Sequence, residues 1–413
     1  MKQNGEMFYL DENGRKSDTA LHKELLDDGE YSLELRKDLK KVAMECGLTE
    51  EQAELIYHCN EEEHMPQNAV RSRYIRCFGD GQMKAMLRLN LPLLLNKISD
   101  LNDETEYAFD IHLRENSELM VYHGGTCLLT IGFSGIEQNQ ISFRSKSYGM
   151  KDGCASEFNL LKAVTTLDDV DAAANKVCAF LSKVISTKNL VNDRYFDNLK
   201  EGYWSNRLSI AHGRNWQPES EWLIVDRESV LGFDNSEDKK RFFTAYKEAV
   251  QSVKNKLQLS DPRVWGRPNE KSDDHDFGDE LDFLAIGPNK QLVCIELKHG
   301  TYTSGIYWGP LQAAVYRGVF SSQLDGISTD IIKMVRQRVE LGLLPKFALE
   351  RLPESGFGCV EGVLAVTDYK SSKNSSCWEK AIKVNDELSK THKAVKMVRS
   401  DDGMLWEDSS KWK

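Results

Sequence analysis

Asp282 and, fourteen residues later, Glu296-Leu297-Lys298 place two carboxylates and an ammonium inside two short apolar runs. The first run reads Glu280-Leu281-Asp282-Phe283-Leu284-Ala285-Ile286, the second Leu292-Val293-Cys294-Ile295-Glu296-Leu297-Lys298. Gly287-Pro288-Asn289-Lys290 between them carries hairpin-turn chemistry, so the spacing predicts two paired strands. Side chains on a strand alternate faces, which puts Glu296 and Lys298 on one side, roughly 6–7 Å apart along the strand, and turns Leu297 into the core. Charges at the edge of a core cost stability unless they are paired or bound to metal. Two carboxylates from neighbouring strands suit Mg²⁺, a hard cation that takes a few protein oxygens and keeps several waters. A lysine beside them can orient or help deprotonate an attacking water and stabilise charge developing on a phosphate. The structural alternative is a surface hairpin with ordinary cross-strand ion pairs. The apolar character of both runs, which reads as strands buried on both faces, opposes it.

These residues resemble the PD-(D/E)XK, or restriction-endonuclease-like, nuclease superfamily. Asp282 stands at the family's metal-binding aspartate, Glu296 at its second acidic ligand and Lys298 at its catalytic lysine, while Leu281 occupies the place of the family's proline. Gln312 and Tyr316, in Gly309-Pro310-Leu311-Gln312-Ala313-Ala314-Val315-Tyr316, reproduce the Q-x-x-x-Y element of the exonuclease-like branch. Pro310 suits the first turn of a helix, and the i,i+4 spacing sets Gln312 and Tyr316 on one face of it. The motif-bearing resemblance covers about residues 280–316. It implies a metal, Mg²⁺ with Mn²⁺ able to substitute, held by Asp282, Glu296 and the carbonyl of Leu297. It further implies that Lys298 positions the water, that Gln312 orients the site or grips substrate, and that Tyr316 supports packing. Several members add an acidic residue from the first helix or strand, for which Glu201 and Glu228 are the matching candidates; Glu280, on the Asp282 side of its strand, would assist from behind.

Length and composition set the outer limits. A chain of 413 residues with 40% hydrophobic residues should hold two or three globular domains. It contains no apolar stretch of membrane-helix length, and its start lacks a signal-peptide segment, so a cytoplasmic location without membrane partners is expected. Nine scattered cysteines without a C-x-x-C pair read as reduced thiols. His58, Cys59, His64 and Cys77 have irregular spacing and flank an acidic run, so no zinc site is expected. A net charge of −11 argues against indiscriminate DNA binding and suits a gated or oligomeric enzyme. Candidate phosphate contacts are Lys239-Lys240-Arg241, Arg263 with Arg267, and Lys333, Arg336 and Arg338, although charge runs are usually solvated faces. Trp265, Tyr302, Tyr307 and Trp308 are candidates for stacking on unpaired bases, with local packing as the plainer role.

Along the chain, 1–100 reads as a mainly helical region in which 41–57 faintly resembles a helix-turn-helix without a basic recognition face. Residues 101–194 read as an antiparallel meander with one wet face, followed by helices, a candidate sensor or substrate-recognition domain with His123 in one turn. The nuclease-like domain spans 195–413. The fold expected is α/β: a restriction-endonuclease-like core, with a mixed central sheet flanked by helices, behind an N-terminal α+β region. The function this implies is Mg²⁺-dependent hydrolysis of nucleic-acid phosphodiester bonds, DNA more than RNA. By analogy with bacterial defence nucleases, it would serve antiviral defence as a homo-oligomer or with a partner protein. The alternatives are an inactive nuclease fold used for binding or assembly, a DNA-binding regulator, and a glycosidase using the paired carboxylates, which Lys298 and the Q-x-x-x-Y element disfavour.

Overall fold

The chain divides into two compact units, Met1–Pro66 and Gln67–Lys413. The computed structural model describes residues 2–3, 6–7, 72–104, 109–145, 153–187, 201–233, 235–266 and 280–399. In the first unit the described residues are a short antiparallel pairing of Lys2–Gln3 with Glu6–Met7. The helix-turn-helix reading of 41–57, and His58, Cys59 and His64, lie outside the described residues, as does Arg267.

The second unit is mixed α/β. Strand β1 (Ser72–Arg73) leads into helices α1 (Asp80–Arg88) and α2 (Leu91–Glu104). The expected meander follows as β2 (Asp110–Arg114), β3 (Glu118–His123), β4 (Thr126–Gly132) and β5 (Ser142–Arg144), an antiparallel sheet in sequence order. Helices α3 (Ala155–Lys162) and α4 (Val170–Ser186) come next, and Leu161, Val177, Phe180, Leu181 and Val184 form a fully buried stripe. Leu160 is 62% exposed because it sits one position off the apolar face.

The second sheet is built from α5 (Glu201–Ser209), β6 (Leu223–Ser229), the short β7 (Gly232–Phe233), α6 (Ser236–Ser260), α7 (Pro262–Trp265), β8 (Leu281–Ile286), β9 (Leu292–His299), α8 (Thr303–Ser322), α9 (Leu324–Glu340), β10 (Val360–Thr367), α10 (Ser371–Leu388) and β11 (Lys396–Arg399). Five of these strands form one mixed sheet in the order β11-β10-β9-β8-β6. β8 runs antiparallel to both β6 and β9, while β9, β10 and β11 run parallel. Its two faces are packed differently, as alternation requires. Phe283, Ala285, Val293, Ile295, Leu297, Val363 and Ala365 meet Trp204 and Leu208 of α5 on one side. On the other side Leu364 and Val366 meet Ile306 of α8 and Trp378 and Ala381 of α10.

Two expectations need correction. Pro310 is not in the first turn of its helix: α8 starts at Thr303, so the proline lies inside it and is buried. Its fixed φ is compatible with helix, at the loss of one backbone hydrogen bond. The meander also has no wet face along β2. Asp110, His112 and Arg114 are 5%, 0% and 7% exposed, because the polar side of β2 packs against β6 and α9 instead of water.

No helix among the described residues is long and apolar enough to cross a membrane.

Candidate active site

The sheet forks at the motif. β8 and β9 are in register from Ile286 opposite Leu292 to Phe283 opposite Ile295, whereas β8 goes on pairing with β6 as far as Leu281 opposite Ser229. Asp282 stands where β8 and β9 part, and its Oδ2 accepts a hydrogen bond from the backbone N–H of Leu297 at 2.7 Å. A side chain thus takes the place of the next ladder bond. A strand residue presents its N–H and C=O on the same edge, so the Leu297 carbonyl faces the same gap.

Glu296 and Lys298 point away from Leu297, as alternation predicts, and are 1% and 7% exposed. The Lys298 ammonium donates to Glu296 Oε1, while Glu296 Oε2 is buried with no hydrogen-bond partner. Burial, and then the Asp282 charge, push the Glu296 carboxyl well above the usual carboxylate range, against the pull of Lys298. Asp282 is raised by burial too, against Lys298 and the Leu297 N–H. Burial works to lower the Lys298 ammonium, but Glu296, Asp282 and Glu201 outweigh it and raise its pKa.

Glu201, in the first turn of α5, is the third carboxylate. Burial and the Asp282 charge raise it to about 7, and Lys298 and the backbone N–H of His299 act the other way. Glu201, one of the two candidates for an additional acidic residue, therefore joins the motif, and Glu228 does not. Glu228, on β6 with φ of 48°, lies 3.8 Å from Arg114 and from Arg227, in a separate ionic cluster. Glu280 is exposed, and burial and the Glu228 charge raise its carboxyl, so it faces Glu228 and that cluster.

Helix α8 seals the site. A Cβ built on Gly305 would collide with the Tyr302 ring and lie 3.0 Å from Lys298 Cδ, so a glycine there lets the helix lie against the lysine stem. Tyr302 is 56% exposed at this spot. Tyr316 donates its hydroxyl to the Glu280 carbonyl at 2.7 Å, clamping the start of β8 two residues before Asp282. Gln312 is half-buried, seven residues beyond Gly305 and on the same side of α8, and makes no hydrogen bond to Asp282, Glu296 or Lys298. Just past the C-terminal end of β9, two residues beyond Lys298, Asn374 donates to the Gly300 carbonyl at 2.5 Å, and a Cβ at 300 would collide with the Asp368 carbonyl. That close approach requires glycine.

Compared with family models, curated proteins and solved structures, the chain matches none.

The other sequence candidates scatter. Trp265, Tyr307 and Trp308 pack on one another, with ring centroids 5.2–6.2 Å apart, and Lys380 and Lys254 lie over their faces. Lys333 pairs with Asp80 at 2.9 Å, Arg336 is exposed and Arg338 is buried, so these three do not make one patch. Arg241 pairs with Asp238 at 2.9 Å on the exposed start of α6.

Sequence reading missed a dense ionic cluster among the described residues of this unit. Asp226 on β6 is 1% exposed and accepts from Tyr74 at 2.5 Å and from Arg114 at 2.9 Å. Asp110 contacts His112 Nε2 at 2.8 Å and Arg227 at 3.3 Å; Arg227 also donates to Asn206 of α5 and to the Gly124 carbonyl in the β3–β4 turn. Its signal was in the sequence as Asp226-Arg227-Glu228 ending an apolar strand, and as the alternating Asp110, His112 and Arg114.

Proposed function

We propose that this chain is a metal-dependent nuclease that hydrolyses nucleic-acid phosphodiester bonds, with DNA the favoured polymer, and that it carries a restriction-endonuclease-like core. The observation that carries the reading is the meeting of Asp282, Glu296, Glu201 and Lys298 at the fork between β8 and β9. Three buried or half-buried carboxyl groups meet one ammonium, their mutual repulsion and burial favour the protonated forms, and Glu296 Oε2 has no donor, so a cation placed among them would let all three ionise. Among the described residues no group of three His, Cys, Asp or Glu side chains forms a ready cage for a metal ion. Mg²⁺ does not require one, since it binds through one or two carboxylates and keeps its remaining positions for water and phosphate.

Asp282, Glu296 and the Leu297 carbonyl would hold the cation, and this hard-oxygen donor set suits it. When bound, Mg²⁺ supplies charge neutralisation on the phosphate and makes an attacking water more acidic. The chain's own groups do the rest. The Leu297 N–H fixes the Asp282 carboxylate, and the Lys298 ammonium, held beside Glu296, stabilises the charge that develops on phosphorus-bound oxygen. Glu201, poised near neutrality, takes the proton as the water oxygen bonds to phosphorus and the opposite P–O ester bond breaks, the leaving oxygen taking a proton from solvent. Gln312 would grip or orient the substrate. A role in antiviral defence rests on the family resemblance alone.

The test is incubation of the purified protein, and of Lys298→Ala beside it, with supercoiled, linear and single-stranded DNA and with RNA, in Mg²⁺, Mn²⁺ or EDTA. Metal-dependent cleavage that the variant loses by about 10²-fold or more supports the reading and ranks the polymers. Calorimetric titration showing no Mg²⁺ binding, together with no cleavage, would make Lys298–Glu296 a structural ion pair and the fold a binding or assembly module.

A further inference from the structure

Of the four aromatic side chains that could stack on bases, three are committed elsewhere. Trp265, Tyr307 and Trp308 pack on one another, and the ammonium groups of Lys380 and Lys254 lie 5.1 and 5.6 Å from the Tyr307 and Trp308 ring centroids. Trp265 is buried and the other two are half-buried, so their faces serve the packing of α7, α8 and α10. Tyr302 differs. It is 56% exposed, and among the described residues its side chain has no ring, cation or hydrogen-bond partner.

Tyr302 stands directly before α8, four residues after Lys298. Its backbone is pinned on both sides: the N–H donates to the His299 carbonyl at 2.8 Å, and the carbonyl accepts from the Ile306 N–H at 3.1 Å. The ring is seated as well. A Cβ on Gly305 would collide with it and would lie 3.0 Å from Lys298 Cδ, so the glycine lets the ring rest against the first turn of α8, beside the lysine stem. A fixed aromatic ring thus faces solvent next to the ammonium of the carboxylate site. Leaving so much apolar surface in water is unfavourable unless a ligand covers it.

We propose that Tyr302 stacks on the base of the nucleotide whose phosphate lies at Lys298, and that the polymer bound is single-stranded nucleic acid. The proposal rests on the nuclease reading of the carboxylate site and adds the form of its substrate. A base is joined to its phosphate through one sugar, so a phosphate brought to the lysine carries its base to the adjoining ring. In a duplex both faces of a base are covered by its neighbours, and a protein ring can lie on it only where the strand is unpaired. Stacking also adds affinity that does not depend on charge, which suits a chain with a net charge of −11.

The test compares wild type, Tyr302→Ala and Tyr302→Phe on one oligonucleotide, single-stranded and as a duplex, in Mg²⁺. Wild type should favour the single strand. Tyr302→Ala should lower kcat/KM on it about tenfold, mostly through KM, with duplex cleavage unchanged and Tyr302→Phe close to wild type. Tm should stay within about 2 °C, because the side chain is exposed. Quenching of a fluorescent adenine analogue in a single strand, read in EDTA, reports stacking without cleavage, and Tyr302→Ala should lose it. Cleavage that Tyr302→Ala leaves unchanged, or lowers equally on both forms, overturns the proposal while the nuclease reading stands. A wild type that cleaves nothing yet quenches the analogue through Tyr302 fails the nuclease reading and keeps the stacking site; neither cleavage nor quenching overturns both.

Discussion

Glu201 is the residue on which activity and stability should pull apart. Its carboxyl, raised to about 7 from the ordinary 4.5, holds a proton in the folded chain over a pH range in which the unfolded chain has released it. Stability is therefore lost as pH rises from about 4.5 through 7. Glu201→Gln should unfold at the same temperature as wild type near pH 4 and at a higher temperature at pH 8, both in EDTA. Cleavage should move the other way. If Glu201 accepts the water proton, the rate rises with pH up to about 7, and the glutamine substitution removes that limb and slows turnover by roughly 10²-fold or more. A variant that keeps the acid limb and its rate would assign proton acceptance elsewhere and leave Glu201 with an electrostatic role. The trio of Asp282, Glu296 and Lys298 was legible because each departs from an apolar run at fixed strand spacing. Glu201 carried only a positional hint, since eighty-one residues separate it from Asp282 and nothing local marks it.

At the level of elements, strands and turns were readable and depths were not. The hairpin of β8 and β9 follows from two apolar runs around Gly287-Pro288-Asn289-Lys290, and Lys290 takes the left-handed φ of 61° that such a turn needs. The start of α8 was misplaced by seven residues because a proline followed by apolar residues looks like a first turn. The polar side of β2 looked wet because alternation reports chemical type and not solvent: a face of Asp, His and Arg packed on another ionic face gives the same pattern. Tyr316 shows how one helix positions a strand at the point where its ladder ends. Its hydroxyl holds the Glu280 carbonyl where β8 leaves β9, so Tyr316→Phe should cost about 1 kcal/mol in urea unfolding. Cleavage should fall with it, by a smaller factor than for Lys298→Ala, because Asp282 keeps its bond to the Leu297 N–H. Equal losses for the two variants would make the tyrosine part of the chemistry.

For the molecule as a whole, the decisive interaction is the one that joins its two larger sheets. Asp226 sits on β6, the edge strand of the five-stranded sheet. It accepts from Arg114 on β2 of the four-stranded sheet at 2.9 Å and from Tyr74 at 2.5 Å, while its neighbour Arg227 reaches α5 and the β3–β4 turn. Burial opposes the Asp226 charge, but Arg76, Arg114 and His112 outweigh it and hold its carboxyl well below the usual range. A folded pKa below the unfolded one gives stability that is present above about pH 4 and is lost as pH falls through the ordinary carboxylate range. Asp226→Asn removes that contribution and leaves the guanidiniums around it short of a counter-charge. The cost should be about 3–5 kcal/mol at pH 7, with a shallower loss of stability below about pH 4 than in wild type. Because the residues from Gln67 onward form one compact unit, the loss should appear as a single shifted transition. Tryptophan fluorescence, dominated by core residues such as Trp204 and Trp222, and far-UV circular dichroism should report the same midpoint. Two separated steps in the variant would mean that each sheet folds without the other, and that the cluster at Asp226 fastens them together without being needed by either.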